Sequence, residues 1–200
     1  MSTLWTPEVL TNIALRISTD GEIRFWDEDE QGNPQELGND NIIRYLNNFL
    51  PAIGIYNLPE EGIKGIPELE MVFVFENRVE KINLRQFESL VRKVLDEAGY
   101  AKVNELMHFK KIKFFGKDLL LSVQRIEGKT LLRDNQSSSY RFFLNGYVEV
   151  ASDKVTEIMP YSSLPENSYV WNDLISHRKY LPPALAIRSG DRHFRDFVAN

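Results

Sequence analysis

No cysteine occurs among the 200 residues of this chain. Its absence excludes disulfides, zinc sites built on thiolates and thiol nucleophiles, and it fits a reducing compartment such as the cytoplasm. No apolar run approaches the roughly 18 residues that a membrane-spanning helix needs, so no membrane partner is predicted. The N-terminus also lacks a basic segment followed by an apolar stretch, which is the pattern of a signal peptide.

Signatures of catalysis and of metal or phosphate binding are absent as well. The closest approach to a phosphate-binding loop is Gly128-Lys129-Thr130, which lacks the upstream glycine of such a loop and is interpreted as a hairpin turn. The acidic run 27–30 lacks the spacing of a calcium loop. The histidines, which show no metal-ligand spacing, are His108, His177 and His193. The sequence therefore predicts no cofactor, no metal and no catalytic residue, and a chain that is not an enzyme.

The composition supports a packed core, because 42% of the residues are hydrophobic and 12% are aromatic. The length allows one domain or two small ones. Residues 51–68 hold three prolines and three glycines, which predicts a boundary or linker. We expect an α+β protein with an acidic helical region at 1–58. An α+β domain at 68–200 would follow, with a helix-plus-hairpin middle and a small antiparallel meander near the C-terminus.

Charge is distributed unevenly along the chain, whose formal net charge is −5. Residues 1–70 contain 13 acidic and 4 basic side chains, whereas residues 71–200 contain 16 acidic and 20 basic ones. The basic part is where a nucleic-acid surface would be expected. No dense run of Lys and Arg typical of strong nucleic-acid binders is present, and solubility explains the asymmetry equally well.

Helix signals open the N-terminal part. Thr6-Pro7-Glu8 combines a capping hydroxyl with a proline at the first helical position, which predicts a helix to about Ile17. A short strand is predicted at 23–26 and an exposed, acidic loop at 27–38.

A second helix is predicted to begin at a cap on Asn39 or Asp40 and to end at Pro51, because proline cannot continue a helix. The apolar residues that define its predicted buried face are Ile42, Ile43, Leu46, Phe49 and Leu50.

The apolar residues alternate beyond residue 70. Residues 71–75 and 79–82 predict a hairpin joined by a turn at Glu76-Asn77. Asn83 caps a predicted helix over 84–98. The apolar stripe of this helix consists of Phe87, Leu90, Val91, Val94 and Leu95.

The meander is predicted from three strands near 140–144, 147–151 and 154–159. Asn145-Gly146 predicts a type I′ turn between the first two strands. Trp171 is predicted to be a buried anchor. The aromatic residues expected to pack the segment after the meander on its neighbours are Tyr161, Trp171 and Tyr180.

The stretch 108–117 is basic and has aromatic residues interleaved with its lysines. One interpretation is a contact surface for single-stranded nucleic acid, whose bases stack on rings while cations follow the phosphates. Lys110, Lys113 and Lys117 have the spacing of one helical side, with Lys111 on a flank.

The interpretation that we favour for the same stretch is an amphipathic helix within a helical region at 102–125. Phe109, Ile112 and Phe115 would form its buried face, and the lysines would be solvated.

The order of motifs in the C-terminal two-thirds resembles that of a known family. The matching segments are the hairpin at 72–79, the strand pair 140–150, the stretch 153–164 with Pro160-Tyr161 and Leu164, Val170-Trp171-Asn172-Asp173-Leu174-Ile175, Arg178-Lys179-Tyr180, and the helix start at 194–198. Together they resemble the primase–helicase-type replication proteins of bacteriophages and mobile elements, especially those of Bacteroidetes. The resemblance covers roughly residues 70–200.

The resemblance implies the N-terminal accessory region of a replication protein whose superfamily-three-type ATPase motor lies beyond Asn200. It implies a non-catalytic module that positions DNA or docks the helicase motor in the cytoplasm of a bacterial host cell. The implied partners are DNA and a helicase or ATPase domain or another replication protein, and a homo-oligomer is left open. The candidate DNA contacts are Lys110, Lys111, Lys113, Lys117, Arg178 and Lys179.

Two alternatives stay open. The chain would be a protein-interaction module without nucleic-acid binding if its acidic half binds a basic partner. It would be a nucleotidyl transferase of primase type if two or three carboxylates converged at strand ends. Acids at strand or hairpin positions are Glu76, Glu80 and Glu149.

Overall fold

The computed structural model describes residues 4–60, 68–151, 157–166 and 168–181. The chain divides into two compact units. Unit 1 comprises Met1–Phe75 and Val79–Lys129, and unit 2 comprises Glu76–Arg78 and Thr130–Asn200. Helices and strands occur together, so the predicted α+β class is confirmed. The predicted regions were 1–58 and 68–200, whereas this division falls at Lys129. Most of the intervening stretch, 61–67, lies outside the described residues.

Helix α1 spans Pro7–Thr19 and confirms the first predicted helix. The Thr6 hydroxyl accepts a hydrogen bond from the Val9 N–H at 3.3 Å, as expected of a cap. Helix α1 packs against the later helix Leu84–Glu97, and the Thr11 hydroxyl donates to Glu97 at 3.0 Å. The strand predicted at 23–26 is wrong. Asp20 instead caps a 3₁₀ turn at Gly21–Ile23, and Phe25 and Trp26 then enter the core.

The second helical region runs continuously over residues 39–52. It consists of α2 Asn39–Arg44, a π-helical segment Tyr45–Phe49 and α3 Leu50–Ala52. Pro51 has no N–H to offer, and the carbonyl of Asn47 accepts instead from the Gln124 side chain at 3.1 Å. The helix continues to Ala52, so the predicted end at Pro51 is early by one residue.

Two details of this second region were predicted wrongly. Gly38 is the N-cap, and the Asn41 side chain accepts from its N–H. The buried face also differs from the predicted one, because Tyr45 is fully buried while Ile43 is 56% exposed. Phe49 and Leu50 are buried as predicted.

Three strands of the sheet follow: β1 Ile55–Glu60, β2 Glu68–Phe75 and β3 Arg78–Lys81. Strands β1 and β2 pair antiparallel with Ile55 opposite Phe73. Strand β1 falls in the stretch interpreted as a linker. The predicted hairpin β2–β3 is confirmed. Its turn residues Glu76 and Asn77 both have positive φ, 49° and 61°, the geometry of a type I′ turn.

Helix α4 spans Leu84–Glu97 and confirms the strongest helix prediction. Asn83 and Gln86 form a reciprocal capping box at 2.9 and 3.0 Å. All five predicted stripe residues are fully buried. Three short helices follow: α5 Ala101–Phe109, α6 Lys111–Phe115 and α7 Lys117–Leu120. The core of unit 1 includes an aromatic cluster of Phe25, Tyr45, Phe49 and Phe114 with ring centroids 5.0–5.7 Å apart.

Unit 2 contains β4 Thr130–Leu131 parallel to β7 Ser168–Trp171, and an antiparallel pair, β5 Ser138–Phe143 with β6 Gly146–Ala151. The first two predicted strands of the meander are thus confirmed. Residues 154–156 of the third lie outside the described residues, and Met159 forms an isolated bridge with Tyr147. The residues that form the core of this unit are Tyr147, Tyr161, Leu164, Val170 and Ile175.

Two predictions for unit 2 need correction. Phe143 pairs with Gly146, so the hairpin loop is Leu144-Asn145, one residue earlier than predicted. Neither loop residue has positive φ, which excludes the predicted type I′ turn. Trp171 is only half-buried, because its neighbour Val170 occupies the core position. No helix in the described part of the chain is long and apolar enough to cross a membrane.

Candidate functional site

The junction of α5 and α6 carries the two most exposed large apolar side chains among the described residues. Phe109 is 83% exposed and Ile112 is 87% exposed. They line a shallow concavity of about 360 Å³ formed by residues 108–113. We call these six residues the 108–113 ridge. The favoured sequence interpretation, in which both side chains are buried, is therefore wrong for them and right only for Phe115, which is 3% exposed.

The position of Lys110 explains why the apolar periodicity of the sequence predicted the wrong buried face. Its backbone, at φ −113° and ψ 29°, separates α5 from α6. Besides Phe115, the residues that face the core are Val103, Met107 and Phe114, and the stripe these three define passes through Lys110. A lysine therefore occupies a position where an apolar residue is expected, and Phe109 and Ile112 are turned outward.

The ammonium group of Lys110 is satisfied within the chain. It lies 2.6 Å from the Glu36 carboxylate and 2.7 Å from the Leu37 carbonyl oxygen. The hydrogen bond from Lys110 holds the pKa of the Glu36 carboxyl below its ordinary value. Lys102 likewise donates to the Asn33 side chain at 2.5 Å. The acidic loop is thereby attached to α5 and to the ridge.

Lys111 is also paired, with Glu88 of α4 at 2.7 Å. The same carboxylate accepts from Arg92 Nε at 3.1 Å, and Arg92 Nη2 lies 3.0 Å away as an ion pair. Arg92 Nη1 donates to Asn104 Oδ1 at 2.6 Å, and the guanidinium lies 5.2 Å from the centre of the Phe115 ring. This network fixes α6 to α4 and α5 underneath the ridge.

Glu88 is expected to stabilise the protein in a pH-dependent way. Burial alone would raise the pKa of its carboxyl, but hydrogen bonds from Lys111 and Arg92 lower it below the ordinary 4.5. We expect Glu88→Gln to cost about 1–3 kcal/mol of unfolding free energy at neutral pH, because a hydrogen bond to a charged group contributes on that scale. Because the folded-state pKa is depressed, this contribution is present above pH 4.5 and is lost as the pH falls through the folded value.

Urea denaturation of both proteins at several pH values tests this prediction. The gap between wild type and Glu88→Gln should close below pH 4.5, whereas Glu127→Gln, at an exposed position outside the ridge, should match wild type throughout. A gap that persists unchanged at pH 3 would contradict it.

Lys113 and Lys117 differ from the first two lysines. Both are exposed, and within the described ranges neither has an ion-pair partner. Lys113 lies on α6, whereas Lys117 begins α7 after Gly116, where an added Cβ would lie 2.4 Å from the Ile112 carbonyl oxygen. The predicted single helical side of Lys110, Lys113 and Lys117 is therefore wrong, because the three belong to three successive segments.

The remaining candidates, Arg178 and Lys179, are exposed residues of unit 2. The Arg178 carbonyl oxygen accepts from the Leu144 N–H at 3.0 Å, which attaches this segment to the end of β5. Nearby, the Asn145 side chain bonds both the N–H and the carbonyl of Tyr180, at 2.8 and 3.1 Å. Burial raises the pKa of Tyr161 to about 12, and its hydroxyl donates to the Phe143 carbonyl at 2.6 Å. Hydrogen bonds to backbone carbonyl and N–H groups thus hold residues 178–180 and Tyr161 against the β5–β6 hairpin.

Two of the carboxylates considered as candidates for nucleotidyl transfer contact hydroxyl or guanidinium groups of nearby side chains. Glu149 accepts from the Ser138 hydroxyl at 2.6 Å and from the Tyr140 hydroxyl at 3.3 Å. Glu76 lies 3.4 Å from Arg78. Across the part of the chain that the structure describes, no group of three His, Asp or Glu side chains is placed to hold a metal ion.

No family model, curated protein or solved structure matches this chain. The resemblance to primase–helicase replication proteins therefore stays a prediction. What can be argued about function comes from the 108–113 ridge itself.

Proposed function

We propose that this chain is a non-catalytic protein-docking module and that the 108–113 ridge is its contact surface. The observation that carries the proposal is the exposure of Phe109 and Ile112 beside one concavity. Two adjacent large apolar side chains that stay exposed to solvent in a folded protein are typical of interaction sites. Covering each of them would contribute about 1.5–3 kcal/mol.

The rigid support beneath the ridge favours docking. Phe114 and Phe115 anchor α6 in the core, and Lys110 and Lys111 are held by Glu36 and Glu88. A surface whose backbone is already fixed loses little conformational entropy on binding. The backbone of the ridge is thus already fixed in the free protein.

The charges favour a protein over a nucleic acid. Two of the four candidate lysines in unit 1 are committed to carboxylates of the chain itself, so only Lys113 and Lys117 are open to phosphates. Two contacts to a single strand would give weak binding with a salt slope of only about −1.4. Single-stranded nucleic acid is the second candidate, and the exposed Phe109 ring is the feature that favours it, because bases stack on such rings.

The family resemblance supplies the context of the proposal. It points to a replication accessory module, and the protein on the ridge would then be a helicase or ATPase domain, another replication protein or a second copy of the chain. The acidic half of the sequence is compatible with this reading, because the loop 27–38 is already attached to the ridge through Lys110.

Site-specific photo-cross-linking in the native cell tests the proposal. A photoreactive phenylalanine analogue at position 112 should give discrete protein adducts, since 87% of the Ile112 side chain is exposed. The matched control is position 15 on α1, where Leu15 is 62% exposed and outside the ridge. Adducts should be strong at 112 and weak at 15. Equal yields at both positions would contradict a docking role for the ridge.

A titration with labelled single-stranded DNA at low salt decides between the two candidates. We expect no measurable binding by the wild type. Binding that is lost in Lys113→Ala/Lys117→Ala but kept in Lys111→Ala would make nucleic acid the partner of the ridge.

A further inference from the structure

We propose that the partner of the 108–113 ridge is a second copy of this chain, in a two-fold symmetric dimer. The inference rests on the proposed function and names the occupant of the same surface. It is carried by two exposed residues of opposite charge that flank the apolar pair along the chain. Glu105 lies one helical turn before Phe109 on α5 and is exposed, and Lys113 follows Ile112 on α6.

This arrangement is self-complementary. In a two-fold interface the same patch faces itself, so that residue i of one copy meets residue j of the other, and the reverse contact occurs too. An axis that passes through the Phe109 and Ile112 side chains would bring Glu105 of each copy toward Lys113 of the other. Neither side chain forms an ion pair within 4 Å among the described residues, so both are open to a partner, although the hydrogen bond from Lys110 and, to a lesser degree, the nearby charge of Lys113 lower the pKa of the Glu36 carboxyl.

The internal pairing of the other lysines supports the same conclusion. Lys110 and Lys111 are neutralised by Glu36 and Glu88 of their own chain, at 2.6 and 2.7 Å. If they were free, a two-fold axis at the ridge would set a cluster of like charges face to face. With them paired, the centre of the interface is apolar and close to neutral, and opposite charges lie at its ends.

The size of the ridge predicts a dissociable dimer. Standard interfaces bury about 800 Å² on each partner, and two side chains per copy cover only part of that area. We expect a dissociation constant on the order of 10–100 µM, which lies well above the range of the tight complexes.

Sedimentation equilibrium of the full chain between about 5 and 500 µM is the first measurement. The wild type should shift from monomer to dimer across this range. Ile112→Glu should stay monomeric, and Leu15→Glu, at an apolar position that is 62% exposed and lies outside the ridge, should dimerise like the wild type. Circular dichroism and thermal melting confirm that each variant is folded.

A charge exchange provides the decisive test. Glu105→Lys and Lys113→Glu should each weaken the dimer about tenfold, because each change sets like charges opposite one another across the axis. The combined Glu105→Lys/Lys113→Glu protein should return to within about threefold of wild type, because the opposite pairing is restored in exchanged form. Only direct apposition of the two residues across the interface predicts this recovery.

A wild type that stays monomeric at 500 µM would overturn the dimer, and so would a double variant no stronger than the single ones. The proposed function fails separately. Cross-links from position 112 to a different protein, with a monomeric wild type, would keep the ridge as a docking surface and reject only the second copy as its occupant.

Discussion

Replacing Phe114 with alanine is expected to destabilise the protein by about 3–5 kcal/mol, whereas Phe109→Ala should change its stability by less than about 0.5 kcal/mol. The two residues are five positions apart, and they differ in what surrounds them. The Phe114 ring is fully buried, 5.2 Å from Tyr45 and 5.7 Å from Phe25, whereas Phe109 is 83% exposed. Comparing the two variants thus shows directly which side of residues 109–114 faces the core.

Urea denaturation monitored by circular dichroism measures both variants. It should be run at a protein concentration below about 5 µM, where self-association contributes nothing to the apparent stability. A loss above 2 kcal/mol in Phe109→Ala would show that this ring packs in the core, and would remove the ridge as a docking surface.

Gly54→Ala is expected to cost about 3 kcal/mol or more. Gly54 lies between α3 and β1 with a φ of +83°, where an L residue is strained by about 1–2 kcal/mol. An added Cβ would also lie 2.3 Å from the Val74 carbonyl oxygen, which belongs to the neighbouring strand. The backbone cannot move away freely, because the Gly54 carbonyl accepts from the Val74 N–H at 2.7 Å. Overpacking of this kind adds about 1–3 kcal/mol.

Gly99→Ala is the matched control for this change. Its φ is +84°, but an added Cβ would have no atom within 4 Å. It should therefore show the backbone strain alone, about 1–2 kcal/mol. The difference between the two variants isolates the clash with β2, and equal losses would show that the strands adjust to accept the methyl group.

The elements that could be predicted from sequence are those whose start signals and buried stripes lie within the element or next to it. Helix α1 has a capping threonine and a proline at its first position, and α4 has the Asn83 box and a stripe of five buried residues. The β2–β3 hairpin has an apolar run at 71–75, a turn at Glu76-Asn77 and a second apolar-bearing strand directly after it. In each case, all of the determining residues lie within the element or next to it, so local pattern and tertiary packing agree.

The ridge could not be predicted because its determinants are distant in the chain. Lys110 occupies a core-facing position only because Glu36 and the Leu37 carbonyl, more than 70 residues earlier, accept its hydrogen bonds. Local periodicity assigned Phe109 and Ile112 to the core instead. The spacing of Val103, Met107 and Phe114 indicates the correct buried face, but Lys110 occupies one position of that stripe. The Asn145-Gly146 turn failed for a related reason, since Gly146 lies against Met159, where a Cβ would be 2.2 Å from its carbonyl oxygen.

The packing of α1 against α4 determines when the chain can fold during its synthesis. Thr11 and Glu97, which join the two helices, are 86 residues apart. At a synthesis rate of about 5–20 residues per second, α1 is made roughly 4–17 s before that contact can form. A helix of 13 residues is marginal alone in water, and α1 lacks its packing partner α4 throughout that interval. Unit 1 therefore cannot complete its core until α4 and the later core residues Met107, Phe114 and Val123 have been synthesised.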